Sequence, residues 1–65
     1  MDLMINGKAQ AVQAQTLPEL LIELGYGEGR FATAVNGDIV HRADRAAVQL
    51  NTGDKIEVVA PMQGG

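Results

Sequence analysis

The stretch Thr16-Leu17-Pro18-Glu19-Leu20-Leu21-Ile22-Glu23-Leu24-Gly25 decides the fold, because it carries the one clear amphipathic helix pattern in the chain. Thr16 and Glu19 have the spacing of a capping box, in which a hydroxyl accepts from the backbone three residues on and a carboxylate reaches back to the first N–H. Pro18 suits a first helical turn, where its missing donor is not needed. Leu17, Leu20, Leu21 and Leu24 then recur at the spacing of one helix face, and Gly25 is a natural stop, so the reading is a helix over about 17 to 25. Burying four leucines at ~1.5–3 kcal/mol each amounts to about 6–12 kcal/mol, comparable to the whole stability of a small domain. This helix is expected to be the main lid on the core.

On either side of it stands a hairpin signal. Leu3 and Ile5 alternate with Asp2, Met4 and Asn6, the period of a half-buried strand, and Asn6-Gly7 turns the chain into a second strand over Lys8 to Ala14. Beyond a glycine-rich linker, Gly25 to Gly29, Phe31 to Val35 reads as a strand and Asn36-Gly37 repeats the turn into Asp38-Ile39-Val40. His41 to Ala47 is read as a helical turn or short 3₁₀ piece. Asn51-Thr52-Gly53-Asp54 is a turn, and Lys55 to Val59 is the last strand, with Ile56 and Val58 on one face and Glu57 and Val59 on the other.

One helix packed across a mixed sheet of four to five strands is an α+β arrangement of two layers. A long crossover lets the first and last strands lie parallel at the sheet's centre. Residues 1–60 are expected to form the domain and residues 61–65 a flexible tail projecting past the end of a central strand. Five extended residues reach roughly 17 Å.

That tail, Pro61-Met62-Gln63-Gly64-Gly65, ends in a diglycine that arises by chance in roughly one chain in two hundred. Glycine has no side chain, so such an end can thread a narrow slot and present a main-chain carboxylate to another protein's active site. The rest of the composition points the same way. The 65 residues contain no Cys, Ser or Trp and a single histidine, His41, so local nucleophilic catalysis and metal clusters have poor raw material. A net charge of −3 and a pI near 4.7 argue against nucleic-acid binding. The N-terminus lacks the pattern of a signal peptide, and no apolar run approaches a membrane span, so a soluble, cytoplasmic protein is expected.

Across nearly its whole length the chain resembles the ThiS family of thiamine-pathway sulfur carriers, in the ubiquitin-like β-grasp superfamily. The resemblance rests on the opening strand into Asn6-Gly7, the helix from Thr16 to Leu24, Val35-Asn36-Gly37-Asp38-Ile39-Val40 followed by Arg42, the turn Gly53-Asp54-Lys55-Ile56-Glu57, and the end Gly64-Gly65. Members often carry proline where this chain has His41, which puts the bend of that segment in question. The resemblance implies a β-grasp fold and a protein that is a co-substrate rather than an enzyme. It further implies that a ThiF-like adenylating enzyme, holding ATP and magnesium, activates the Gly65 carboxylate. A sulfur donor would convert it to a thiocarboxylate, and a ThiG-like thiazole synthase would receive the sulfur. Gly64, Gln63 and Met62 would thread the partner's slot, and Met4 and Val59, on the sheet face away from the helix, are expected to form an apolar docking footprint near the tail. Two alternatives share the same activated end: a ubiquitin-like modifier conjugated through Gly65, and a MoaD-like small subunit of molybdopterin synthase. The acidic side chains Glu19, Glu23 and Glu28 are read simply as a solvated face and linker.

Overall fold

The computed structural model describes residues 1–27 and 30–60. Two hairpins, β1 (Asp2–Ile5) with β2 (Lys8–Ala11) and β3 (Ala32–Val35) with β4 (Asp38–Val40), flank the helix α1 (Leu17–Glu23); a 3₁₀ turn over Arg42–Ala47 then leads to β5 (Lys55–Val59). The five strands form one sheet in the order β2-β1-β5-β3-β4. As expected from the crossover, β1 and β5 are parallel, with Met4 beside Lys55 and Ile5 beside Ile56, while β5 and β3 are antiparallel, with Val59 beside Ala32. The terminus-bearing strand is thus central.

Both Asn-Gly pairs turn as read. Asn6 and Asn36 have φ of 50° and 52°, with Gly7 and Gly37 at 83° and 87°, the doubly positive backbone that a two-residue hairpin needs. Leu17, Leu20 and Leu21 pack with Leu3, Ile5, Ile56 and Val58 in one core, sealed by Val12, Ala14 and Leu50. The second strand stops at Ala11 rather than Ala14: Val12 still exchanges both main-chain hydrogen bonds with Met1, where β1's side of the hairpin runs out, and Val12 and Ala14 are buried in that core.

At its start α1 has both halves of the capping box. It ends two residues earlier than read, at Glu23, in a Schellman arrangement: Tyr26 N–H donates to Leu21 C=O at 2.9 Å and Gly25 N–H to Ile22 C=O at 3.0 Å. Gly25, at φ 88°, supplies the left-handed residue this requires. The 3₁₀ turn over Arg42–Ala47 forms where a helical turn or short 3₁₀ piece was read. Its N-cap residue, His41, has φ −70°, a value proline also adopts.

Glu19 and Glu23 lie on an exposed helix face, as read, and their carboxylates also bind the main chain. Glu19 accepts from Gln15 N–H (3.0 Å) and Thr16 N–H (3.2 Å), and Glu23 from Gln13 N–H (3.0 Å) and Ala14 N–H (2.9 Å). Side chains four apart share a helix face, and the segment entering the helix lies along that face, so two carboxylates hold four successive amides. The amides of Gln15 and Thr16 together hold the Glu19 carboxyl below the usual glutamate range. A lowered folded-state value means the stabilisation is complete above the ordinary glutamate value and is lost as pH falls through the folded one. In thermal melts, Glu19→Gln is expected to melt below wild type at neutral pH, because a neutral amide accepts more weakly than a carboxylate. The gap should close as the buffer is acidified. A gap that persists into strong acid would show that the charge is not what holds the segment.

Candidate functional site

Strand β5 carries the chain toward the terminus, and its two faces have different duties. Ile56 and Val58 point into the core, at 0% and 5% exposure, while Lys55, Glu57 and Val59 point outward. Two asparagine side chains hold the strand's ends. β1 finishes its ladder at Ile5, and beyond that point Asn6 takes over. Its Oδ1 accepts from Val58 N–H at 2.9 Å and its Nδ2 donates to Val58 C=O at 3.2 Å. At the other end and on the other flank, Asn36 Oδ1 accepts from Lys55 N–H at 3.0 Å while its Nδ2 donates to Asp54 Oδ1 at 3.0 Å.

Beside the C-terminal end of β5 a third group ties the layers together. Arg45, on the 3₁₀ turn, donates to Phe31 C=O at 2.8 Å and to Thr33 Oγ1 at 3.2 Å, and its guanidinium lies 4.4 Å from the centre of the Phe31 ring. Thr33, 2% exposed, donates in turn to Val40 C=O, so a hydroxyl inside the core is satisfied on both sides. Phe31 belongs to this knot rather than to the strand, which begins at Ala32.

The outer sheet face holds the expected docking residues but does not bring them together. Met4 lies beside Lys55, and Val59 is four residues further along β5, about 13 Å away at strand spacing. Met4 instead sits in an open hollow of about 540 Å³ with Asn6, Gly7, Lys55 and Glu57, at the opposite end of β5 from the terminus. The single footprint near the tail is therefore corrected: parallel pairing with β5 sets Met4 at that strand's start.

What surrounds Val59 is a different set. Ala32 is its neighbour on β3, and one rung along Ala34 lies between Glu57 and Ile39. Val59 and Ile39 are 61% and 73% exposed and stand diagonally across β3, two residues out of register, bordering a shallow trough floored by Ala32 and Ala34 with Glu57 on its β5 side. Sequence reading missed Ile39. The two-residue turn at Asn36-Gly37 sets it opposite Ala34, but the apolar pair Ile39-Val40 gives no sign of which of them faces outward.

The calls on Met62, Gln63, Gly64 and Gly65 fall outside the described residues. Among the described residues no group of three or more His, Asp or Glu could hold a metal ion, and no helix is long and apolar enough to cross a membrane.

One helix across a five-stranded mixed sheet whose last strand is central is an arrangement found in known proteins. Residues 3–65 match the ThiS family model. The chain belongs to the ThiS family. It is 34% identical over 61 residues to the sulfur carrier protein ThiS of Thermus thermophilus, covering 94% of this chain and 95% of that one. It is also 41% identical over 66 residues to a thiazole synthase of Paramagnetospirillum magneticum, of which it spans a fifth (20%). The crystal structure of a thiamine biosynthesis protein (ThiS) from Geobacter metallireducens superposes over the whole of both chains with a TM-score of 0.84 at 29% identity. This ThiS-family chain has the ubiquitin-like β-grasp fold that its residues implied.

Proposed function

We propose that this ThiS-family chain is a sulfur carrier for thiazole formation in thiamine biosynthesis, working through the carboxylate of Gly65. The observation that carries the reading is the placement of β5: the strand that precedes the sequence's Gly64-Gly65 is central, is held on both flanks, and carries the exposed Val59 near its end. A terminal carboxylate with a pKa near 3.5 is ionised at neutral pH. One of its oxygens attacks the α-phosphorus of ATP in a ThiF-like enzyme, pyrophosphate leaves, and an acyl-adenylate remains. The terminal sulfur of a persulfide donor then attacks the carbonyl carbon and AMP leaves. Cleavage of the new S–S bond by a thiol reductant frees the Gly65 thiocarboxylate. A thiazole synthase of the ThiG kind takes that sulfur, and the Paramagnetospirillum relative supports this partner, since a segment like this chain lies within a protein named thiazole synthase. ATP and its magnesium are supplied in the activating enzyme.

In this reading Gly65 is modified, Gly64, Gln63 and Met62 thread the partner's slot, and the trough of Val59, Ile39, Ala32 and Ala34 docks. Met4 offers a separate contact at the far end of β5. The test is intact mass measurement after incubation with the activating enzyme, ATP and a sulfur source. The expected product carries one oxygen-to-sulfur exchange; adducts of protein size would instead indicate conjugation, and an unchanged mass would reject the reading.

Docking has its own test. Val59→Asp and Ile39→Asp each put a charge where the trough must lose water, and each is expected to weaken binding to the activating enzyme by more than about 1 kcal/mol. Both side chains are exposed, so the melting temperature should hardly change. Unchanged affinity in titration calorimetry for both variants would remove the trough from the interface.

A further inference from the structure

Two turns of the same sequence, Asn6-Gly7 and Asn36-Gly37, hold opposite ends of the same strand, and they are not equivalent. Along β5 the backbone groups of alternate residues point to opposite flanks: Ile56 C=O accepts from Asn6 N–H on the β1 side, and Lys55 C=O from Asn36 N–H on the β3 side. Val58, two residues after Ile56, also faces the β1 side, but β1 has already ended at Ile5. A carboxamide carries the same donor and acceptor pair as a peptide group, and the Asn6 side chain uses both on Val58, N–H at 2.9 Å and C=O at 3.2 Å. It stands where the next residue of a longer β1 would be. Val58 is two residues from Ala60, where the described part of the strand's run toward the terminus ends. Asn36 makes its contact at Lys55, at the start of the strand and far from that end.

We infer that Asn6 is a positioning residue for the activation of the terminus: its carboxamide extends the parallel ladder by one peptide and so fixes the direction in which the chain leaves β5. The inference rests on the carrier reading above. Fixing that direction reduces the conformations to be frozen when the carboxylate is brought into line with the α-phosphorus, and reactions that depend on alignment lose rate steeply when it loosens.

Glycine tests this cleanly, because it tolerates the positive φ of both turn positions and removes only the carboxamide. Asn6→Gly and Asn36→Gly are compared at a temperature where circular dichroism shows both folded. Loss of a bond worth about one hydrogen bond should speed amide hydrogen exchange at Val58 by about tenfold in Asn6→Gly and leave it unchanged in Asn36→Gly. With the ThiF-like adenylating enzyme, pyrophosphate release with Asn6→Gly should show kcat lowered by about ten- to a hundredfold with KM for the carrier unchanged, since the docking trough is intact. Asn36→Gly should keep wild-type kcat. A merely structural role would reduce the folded fraction and raise the apparent KM without touching kcat. Equal kinetics in the two variants, or wild-type kcat in Asn6→Gly, would overturn the inference. Failure of wild type to be adenylated would instead reject the carrier reading, and the exchange rates, which need no enzyme, would still decide whether Asn6 holds Val58.

Discussion

Deleting Gly65, or adding one residue after it, is expected to reduce adenylation and thiocarboxylate formation to background while leaving the domain as stable as before. The reason is distance. One residue of extended chain spans about 3.3–3.6 Å, as much as the whole separation of about 3–3.5 Å at which reacting atoms must be held. A carboxylate displaced by that amount while the trough stays docked meets the wrong part of the partner's site, and no oxygen lies in line with the α-phosphorus. The loss should exceed about a thousandfold, because alignment of bound groups is worth effective molarities far above those of free reactants. Stability should not follow, since the core among the described residues runs from Leu3 to Val58. Pyrophosphate release and intact mass report the first effect, and thermal melts the second. Gly65→Ala keeps the length and adds one methyl group, so it separates slot width from reach. Wild-type turnover by the truncated chain would show that the terminus is not the reacting group.

The trough, the terminus and the clamps make a division of labour that suits a carrier. Docking needs apolar surface outside the core, which Val59 and Ile39 supply on the sheet face turned away from the helix. In the proposed reading delivery needs a strand that does not bend, and Asn6 and Asn36 hold β5 from its two flanks. Chemistry needs a main-chain carboxylate and no side chain near it.

Much of this was legible in the residues because the signals were local. Asn-Gly demands a two-residue turn, Thr16 with Glu19 announces a helix start, and Ile56 alternating with Glu57 marks a half-buried strand; each follows from a few neighbouring atoms. What escaped depended on contacts between distant segments. Asn6 reaches Val58 across 52 positions, and no local pattern marks a turn residue as a clamp for another strand. Thr33, a polar residue turned inward, hid which face of β3 was core until Arg45 and Val40 were seen to satisfy it. The carboxylates of Glu19 and Glu23 read only as solvent-facing charges because their partners are main-chain amides, which carry no signature in the side-chain sequence. Met4 was assigned to the right face and the wrong end, since alternation gives the face of a strand but only pairing gives its register.

Leu20→Ala is expected to destabilise the domain by about 2–5 kcal/mol, the largest effect of any single truncation proposed for it. Leu20 is fully buried, at 0% exposure, in the middle of the one face that α1 presents to the sheet. Alanine is the best helix former, so the substitution favours the helix itself and the whole loss comes from the core: the transfer energy of the missing atoms and the cavity left among Leu3, Ile56 and their neighbours. A domain of 65 residues has a total stability of only about 3–10 kcal/mol. The variant should therefore melt about 8–40 °C below wild type, at about 4–8 °C per kcal/mol for a domain of this size, and approach half-unfolding at modest urea. Ile22→Ala, two residues on and removing a side chain of the same size, is the matched control. Ile22 is 71% exposed, so its change should stay within about 0.5 kcal/mol. Equal losses from the two variants would mean that the helix lies on the sheet by some face other than the leucine one. With the outer trough untouched, Leu20→Ala should still be adenylated at wild-type kcat wherever it is folded, because the core holds the strand that carries the terminus but takes no part in the reaction.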